Sequence, residues 1–362
     1  MRVVAKIGTS SLTDELGVIQ TDVIVMLCAQ IAKLRAAGHE VVLVTSGAVS
    51  AGVAALGLTT RPNDMATLQA LAAAGQSRLM EQYNHALGAH GLVAAQVLLV
   101  PHDFVDRRQY LHARRTLNKL LELGCVPIVN ENDAIASHEI RFGDNDRIAA
   151  LVAHNINAEL LVLLTDTPGL FTADPHTDSA ATLIAEVAFD DPLLAVKASA
   201  PGSSRGSGGM VSKLASARMA SWSGVRTVIA ATARRNALVD AVGGVAGVGT
   251  TFQPRRRRLA ARKLWIAFAS HVEGSVLIDE GARRALVERG TSLLPAGVTG
   301  VRGDFATNDV VDVIDPHGST VARGLALNDS AVIRKMAGKR TADLPSGMAH
   351  MVIHRDDLVV LV

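Results

Sequence analysis

Rings are scarce in this chain: Phe, Trp and Tyr make up 3% of the 362 residues, although the hydrophobic set as a whole reaches 49%. A core with so few aromatics must be built from Ala, Val and Leu, which suit helices packed on a parallel sheet. Cysteine is scarcer still. Cys28 and Cys125 lie in apolar stretches, and two such thiols provide neither a disulfide framework nor a zinc cluster; they read as reduced core residues of a cytoplasmic protein. No apolar run comes near the ~20 residues that a bilayer span requires, so no membrane segment is expected. The opening "MRVVAKIG" lacks a cationic region followed by a sustained apolar stretch and a small-residue cleavage site, which argues against export. An excess of either charge is also missing: 36 basic residues against 34 acidic ones leave +2, too weak a field for a dedicated nucleic-acid binder.

What the chain does have is alternation. From residue 1 to about 250, short β-branched runs ("RVVAKI", "EVVLVT", "VAAQVLLV", "VPIV", "ELLVLLTD", "RTVIAA") are separated by Ala-rich helical stretches, the signature of βαβ units in an α/β domain with a mainly parallel sheet. The first long helical stretch has Thr21 as a candidate N-cap and Gly38 as its stop. Ligands of such sheets collect at the carboxyl ends of the strands. Near 250 the pattern changes: "PRRRRLAARK", 254 to 263, carries six positive charges and no acid, and reads as part of a basic linker, 251 to 272. Beyond it, short strands, a helix at about 279 to 289 and dense turn signals spell a small β-rich domain.

Several strand ends carry chemistry. Lys6, at the end of the first strand in "AKIGTSS", is costly to bury unless paired, and Gly8, Thr9 and Ser10 beside it offer donors to an anion; the plainer alternative is a strand-edge lysine reaching water. "VTSGAVSAG", 44 to 52, allows close backbone approach to a ligand, but Val44 stands where a serine nucleophile elbow needs glycine. "GSGGMVSK", 206 to 213, opens a helix whose first amides suit phosphate oxygens, without the spacing of a Walker A loop; a flexible loop is the bland reading. His39-Glu40 and His138-Glu139 lack the second histidine of a zinc helix. "VPIVNENDA", 126 to 134, and "FGDNDRIAALVA", 142 to 153, crowd amides and carboxylates against strand and helix ends. Turn formation explains one such cluster comfortably and two less well; acceptors for an ammonium and donors for a carboxylate describe an amino acid as ligand.

Together with "LLTDTPGLFTADP", these segments resemble, in order and spacing, the amino acid kinase family in its glutamate 5-kinase branch, over residues 1 to 250. Residues 273 to 350, with "GSVLIDEGARRALVERGTSLLPAGV" and "VARGL", resemble the pseudouridine synthase and archaeosine transglycosylase (PUA) domain. The resemblance implies an amino acid kinase fold, a mainly parallel sheet between helices, followed by a small β-rich domain. It also implies phosphorylation of the γ-carboxylate of L-glutamate with ATP and Mg2+, the first step toward proline. Carried over residue by residue, Ser46, Asp133 and Asn145 meet glutamate with Asn130 and Asp144 nearby. Lys6, Thr165, Asp166 and the loop Ser207, Gly208, Gly209, Met210, Val211, Ser212 and Lys213 meet ATP. Lys6 and Lys213 neutralise the transferring group and Asp146 holds them. Feedback inhibition by L-proline, a homo-oligomer (dimer or tetramer) and RNA contact through the small domain are further implications. The loop departs from the family pattern at Ser204, Arg205, Ser207 and Ser212, and Asn308-Asp309 stands where Gly-Asp is usual. Aspartate or N-acetylglutamate as substrate, and an RNA-binding protein with a vestigial kinase half, are the competing expectations.

Overall fold

A computed structural model describes residues 1–104, 106–135, 145–173, 177–189, 191, 209–256, 258–269, 272–343 and 350–362. The chain forms two compact units, Met1–Arg258 and Leu259–Val362. Among the described residues no helix is long and apolar enough to cross a membrane.

The first unit opens with β1 (Arg2–Ile7), the short α1 (Thr9–Leu12), α2 (Thr21–Ala36), β2 (Glu40–Val44), α3 (Ala48–Ala55) and α4 (Met65–Gly88). There follow β3 (Ala94–Leu99), α5 (Arg107–Glu122), β4 (Val126–Glu131), α6 (Asn145–Asn155) and β5 (Leu160–Thr165). It closes with β6 (Glu186–Val187), α7 (Met210–Trp222), β7 (Arg226–Ala231), α8 (Ala237–Gly243) and β8 (Gly249–Phe252). Among the described residues, eight strands lie in the order β3-β4-β2-β1-β5-β7-β8-β6, and of their pairings only β7–β8 is antiparallel. β5, "LLVLLT", is buried at every position, as expected of a parallel strand covered on both faces. β1 sits where the chain switches direction across the sheet, with β2 on one side and β5 on the other, so a crevice is expected at its carboxyl end.

Local chemistry explains the helix ends. Asp64 and Asp106 cap α4 and α5 by accepting from the N–H groups of Thr67 and Gln109. Thr21 does not cap α2: it is the first helical residue, Gln20 holds the cap position without a side-chain bond, and the Thr21 hydroxyl donates to Gln82 Oε1 at 3.1 Å. The expected stop at Gly38 is seen, with φ +81°. α3 and α4 touch backbone to backbone: a Cβ on Gly75 would lie 1.9 Å from the Ala48 carbonyl oxygen, and one on Gly52 2.0 Å from that of Leu71. Cys28 is a core residue whose thiol burial pushes up to about 12; Cys125 is half-buried.

The second unit contains α9 (Ala261–Leu264), a π-helical turn (Trp265–Ala269), β9 (Gly274–Ile278), α10 (Glu280–Arg289), β10 (Val298–Arg302), β11 (Val310–Ile314), β12 (Thr320–Leu325), α11 (Ser330–Met336) and β13 (Leu358–Val360). Its five strands run β10-β9-β11-β12-β13 around a core that includes Val276, Val311 and Ile353. Asn308 takes φ +71°, a left-handed turn conformation that Asn tolerates in place of Gly.

The boundary between the units falls within 251 to 272, and several described residues of that stretch are anchored to the unit on their own side. Thr251 and Phe252 belong to β8, the Arg255 guanidinium lies 4.5 Å over the Trp222 ring, and Arg258 donates to Asn157 Oδ1 at 3.1 Å and to the Ala158 carbonyl at 3.2 Å. On the other side of the boundary Leu264 and Ile266 are buried, and Arg323 donates to the Ala267 carbonyl at 2.7 Å. The small unit also continues past residue 350, because β13 completes its sheet.

Candidate active site

Parallel pairing brings the carboxyl ends of β1, β2, β4 and β5 to one edge of the sheet. β1 delivers Lys6 there, and the first turn of α6 delivers Asp146. Lys6 Nζ lies 2.6 Å from Asp146 Oδ1, with side chains only 5% and 1% exposed. Lys213, in the first turn of α7, places its Nζ 3.4 Å from Asp146 Oδ2, and the Ser212 hydroxyl donates to the same oxygen at 3.0 Å. Burial pushes the Asp146 carboxyl up, but Lys6, Lys213 and Ser212 outweigh it and hold the group below the usual carboxylate range. Burial lowers Lys213, with Lys6 adding to the effect and Asp146 opposing it. Two ammonium groups share one carboxylate, so the trio carries a surplus positive charge in a place where water does not screen it.

A second cluster forms where β4 ends. The Glu131 backbone N–H donates to Asn130 Oδ1 at 2.9 Å and to Asn145 Oδ1 at 3.0 Å, so strand end and helix start share one hydrogen. Asn130 Nδ2 donates to Gln76 Oε1 on α4 at 2.8 Å. Asp133, in a one-turn 3-10 helix after β4, is 7% exposed, and burial pushes its carboxyl up to about 6 while Arg61 pulls the other way. Ser46 is buried at the end of β2, just before Gly47, whose φ of +98° turns the chain into α3. Tyr83 of α4 and Thr45 share a 2.8 Å hydroxyl contact that ties α4 to this strand end.

Beyond β5, the Thr165 hydroxyl donates to the exposed Asp166 at 2.9 Å. A cavity of about 920 Å3 has Thr9, Ser10, Arg61 and Asp166 among its lining residues. Gly209 caps α7, a helix start of the kind that suits phosphate oxygens, with Met210, Val211, Ser212 and Lys213 following. Asp144, Ser207 and Gly208 lie outside the described residues, as do Ser204 and Arg205.

The structure thus brings Lys6, Asp146, Ser212 and Lys213 together, and separately Asn130 and Asn145 around one N–H, with Asp133 on the turn that follows. Gln76, Arg61, Tyr83 and Thr45 were not anticipated from sequence. Gln76 leaves one trace, a polar residue after glycine within the apolar helix "LAAAGQSRLM"; Arg61, in the connection before α4, leaves none. Among the described residues no group of three or more His, Cys, Asp or Glu could hold a metal ion. Asp166, near enough to Lys213 to raise its proton affinity, is the exposed carboxylate available to such an ion.

Residues 1–231 match the model of the amino acid kinase family, and residues 274–348 match that of the PUA domain. The chain is 47% identical to glutamate 5-kinase of Frankia casuarinae, over 99% of this chain and 96% of that one. It is 48% identical to glutamate 5-kinase of Thermobifida fusca, covering 99% and 93%, and 45% identical to that of Burkholderia mallei, covering 99% and 98%. UMP kinase from Ureaplasma parvum superposes with a TM-score of 0.48 at 16% identity, covering 70% of this chain and 98% of that one.

Proposed function

The chain belongs to the amino acid kinase family, and from that membership we propose that its cleft transfers the γ-phosphoryl group of ATP to the γ-carboxylate of L-glutamate, giving L-glutamyl 5-phosphate for proline biosynthesis. The observation that carries this reading is the buried trio of Lys6, Asp146 and Lys213, with two cations on one anion.

The acceptor needs no general base. A glutamate side chain ionises near ~4.3 and is already a nucleophile at neutral pH. One carboxylate oxygen forms the new bond to phosphorus as the bond to the departing ADP oxygen breaks. The obstacle is the approach of an anion to a polyanion, so the protein's task is positioning and charge cancellation. Lys6 and Lys213 supply the charge, Asp146 fixes both ammonium groups, and the first-turn N–H groups of α7 face phosphate oxygens. Mg2+ bound to the nucleotide adds charge neutralisation on the phosphates. Asp133, ionised above about pH 6, accepts from the substrate's α-ammonium. N-acetylglutamate has no such ammonium, and aspartate differs from glutamate by one methylene, which the side-by-side assay below tests.

Feedback by L-proline, assembly into a homo-oligomer, a cytoplasmic location and contact of the second unit with structured RNA belong to the same proposal. The PUA match supports the last of these, which should weaken steeply with salt. The deciding experiment is ATP-dependent hydroxamate formation with L-glutamate, L-aspartate and N-acetyl-L-glutamate side by side. Turnover with glutamate well above the other two is expected; none with glutamate overturns the reading.

A further inference from the structure

The direction of a side-chain amide follows from its neighbours, and one neighbour here is unambiguous. A backbone N–H only donates, so the Glu131 N–H fixes the oxygen ends of both Asn130 and Asn145. The NH2 of Asn130 must then face Gln76, whose oxygen receives it at 2.8 Å. This turns the NH2 of Gln76 away from Asn130. There Nε2 is buried without a hydrogen-bond partner among the described residues, on a side chain only 8% exposed.

A matching vacancy lies opposite in sign. Asp133 Oδ1 is likewise buried without a hydrogen-bond partner among the described residues, and the turn that carries it packs against α4. Gln76 itself follows Gly75, which brings α4 against the start of α3 just beyond Ser46. A buried donor on α4 and a buried acceptor on the turn packed against it, each without a partner among the described residues, are destabilising unless a ligand pairs them. The carboxylate and ammonium of an α-amino acid are such a pair.

We propose that Gln76 donates from Nε2 to the α-carboxylate of bound glutamate, and that Asn130 is a positioning residue that holds this amide in orientation without touching the substrate. The proposal rests on the glutamate kinase reading above. The ammonium faces Asp133 and the γ-carboxylate faces the lysines, which leaves the α-carboxylate for α4.

The test compares L-glutamate with its α-amide, L-isoglutamine, which keeps the γ-carboxylate and loses only the α-charge. Gln76→Met keeps length and removes the donor. KM for glutamate should rise roughly 10- to 100-fold, the usual worth of a hydrogen bond to a charged group. kcat and KM for ATP should stay within a few-fold, and KM for isoglutamine should change little, so the preference for glutamate collapses. Asn130→Asp, which can still accept the Glu131 N–H but cannot orient Gln76, should move the same ratio in the same direction. Gln76→Asn provides a milder change should Gln76→Met fold poorly, with melting curves of each free variant as the control. A wild-type glutamate to isoglutamine ratio in the Gln76 variants, or an equal loss in kcat for both substrates, overturns the proposal while leaving the kinase reading intact. No turnover of glutamate by the wild-type chain overturns both.

Discussion

Lys6 and Asp146 meet at 2.6 Å with almost no exposure of either side chain, and Lys213 takes the other oxygen of the same carboxylate at 3.4 Å. Desolvating such groups costs several kcal/mol per ion, and their mutual attraction returns only part of it. A pair alone would be electrically closed; a second lysine leaves the cluster one positive charge in excess. That surplus is unfavourable in the free protein and, under the proposed reaction, would become favourable when phosphate and carboxylate enter together.

The first prediction concerns the second cation. Lys213→Ala leaves Lys6 and Asp146 as a neutral pair, so the repulsion between γ-carboxylate and phosphate is no longer compensated. kcat should fall on the order of 100-fold or more, by analogy with loss of one transition-state donor, while the melting temperature of the free protein changes little or rises. Steady-state kinetics with a melting curve checks this; near-normal kcat removes Lys213 from the chemistry.

Removing the shared anion has the opposite effect on the fold. Asp146→Asn strands two buried ammonium groups, and the free protein should lose on the order of 3 kcal/mol. The sign with pH follows from the depressed carboxyl of Asp146. Its contribution is present above the unfolded value of about 3.9 and is lost as pH falls through the lower folded value. The difference between wild type and Asp146→Asn in urea melts should therefore be constant at neutral pH and shrink below about pH 4.

Much of this was legible in the sequence, for reasons specific to each element. The strands of the large sheet are continuous apolar runs because both faces are covered, and Lys6 stood out as a charge inside one of them. What stayed illegible depended on partners far away along the chain. Gln76 sits 54 positions from Asn130 and looks like any polar residue on a helix. The basic stretch read as a linker because six charges without an acid look solvated, but Arg255 rests on Trp222 and Arg258 on Asn157 and Ala158. Those acceptors carry no mark that pattern alone could reveal. β8 was missed for a similar reason: "GTTF" is short, and only pairing with β7 and β6 makes it a strand.

Asp133 offers a trade between stability and function. Burial pushes its carboxyl up to about 6, so ionising it costs the free protein stability above that pH. A raised carboxyl contributes stability below its unfolded value and loses it as pH rises through 6. Asp133→Asn should then stabilise the free protein at pH 8, on the order of 2 kcal/mol, and raise KM for glutamate by removing the ammonium's anionic partner. In the wild type KM for glutamate should climb as pH drops below about 6. An unchanged KM in Asp133→Asn detaches this residue from substrate.

The closest backbone contact near the site gives the last prediction. Gly75 and Gly52 allow α3 and α4 to meet, and the Cβ of Gly75→Ala would lie 1.9 Å from the Ala48 carbonyl oxygen, a backbone atom that cannot rotate aside. The helices must separate, at a cost of about 1–3 kcal/mol for overpacking. The displaced parts matter more than the energy. α3 begins two residues after Ser46, and α4 carries Gln76 and Tyr83, so parting them loosens the Thr45 and Asn130 contacts together. Gly75→Ala should therefore raise KM for glutamate together with a drop of several degrees in melting temperature, while KM for ATP, which the proposal assigns to Lys6, α7 and Thr165, stays near normal. Equal changes in both KM values would mean that α4 supports the whole cleft rather than the amino acid side of it.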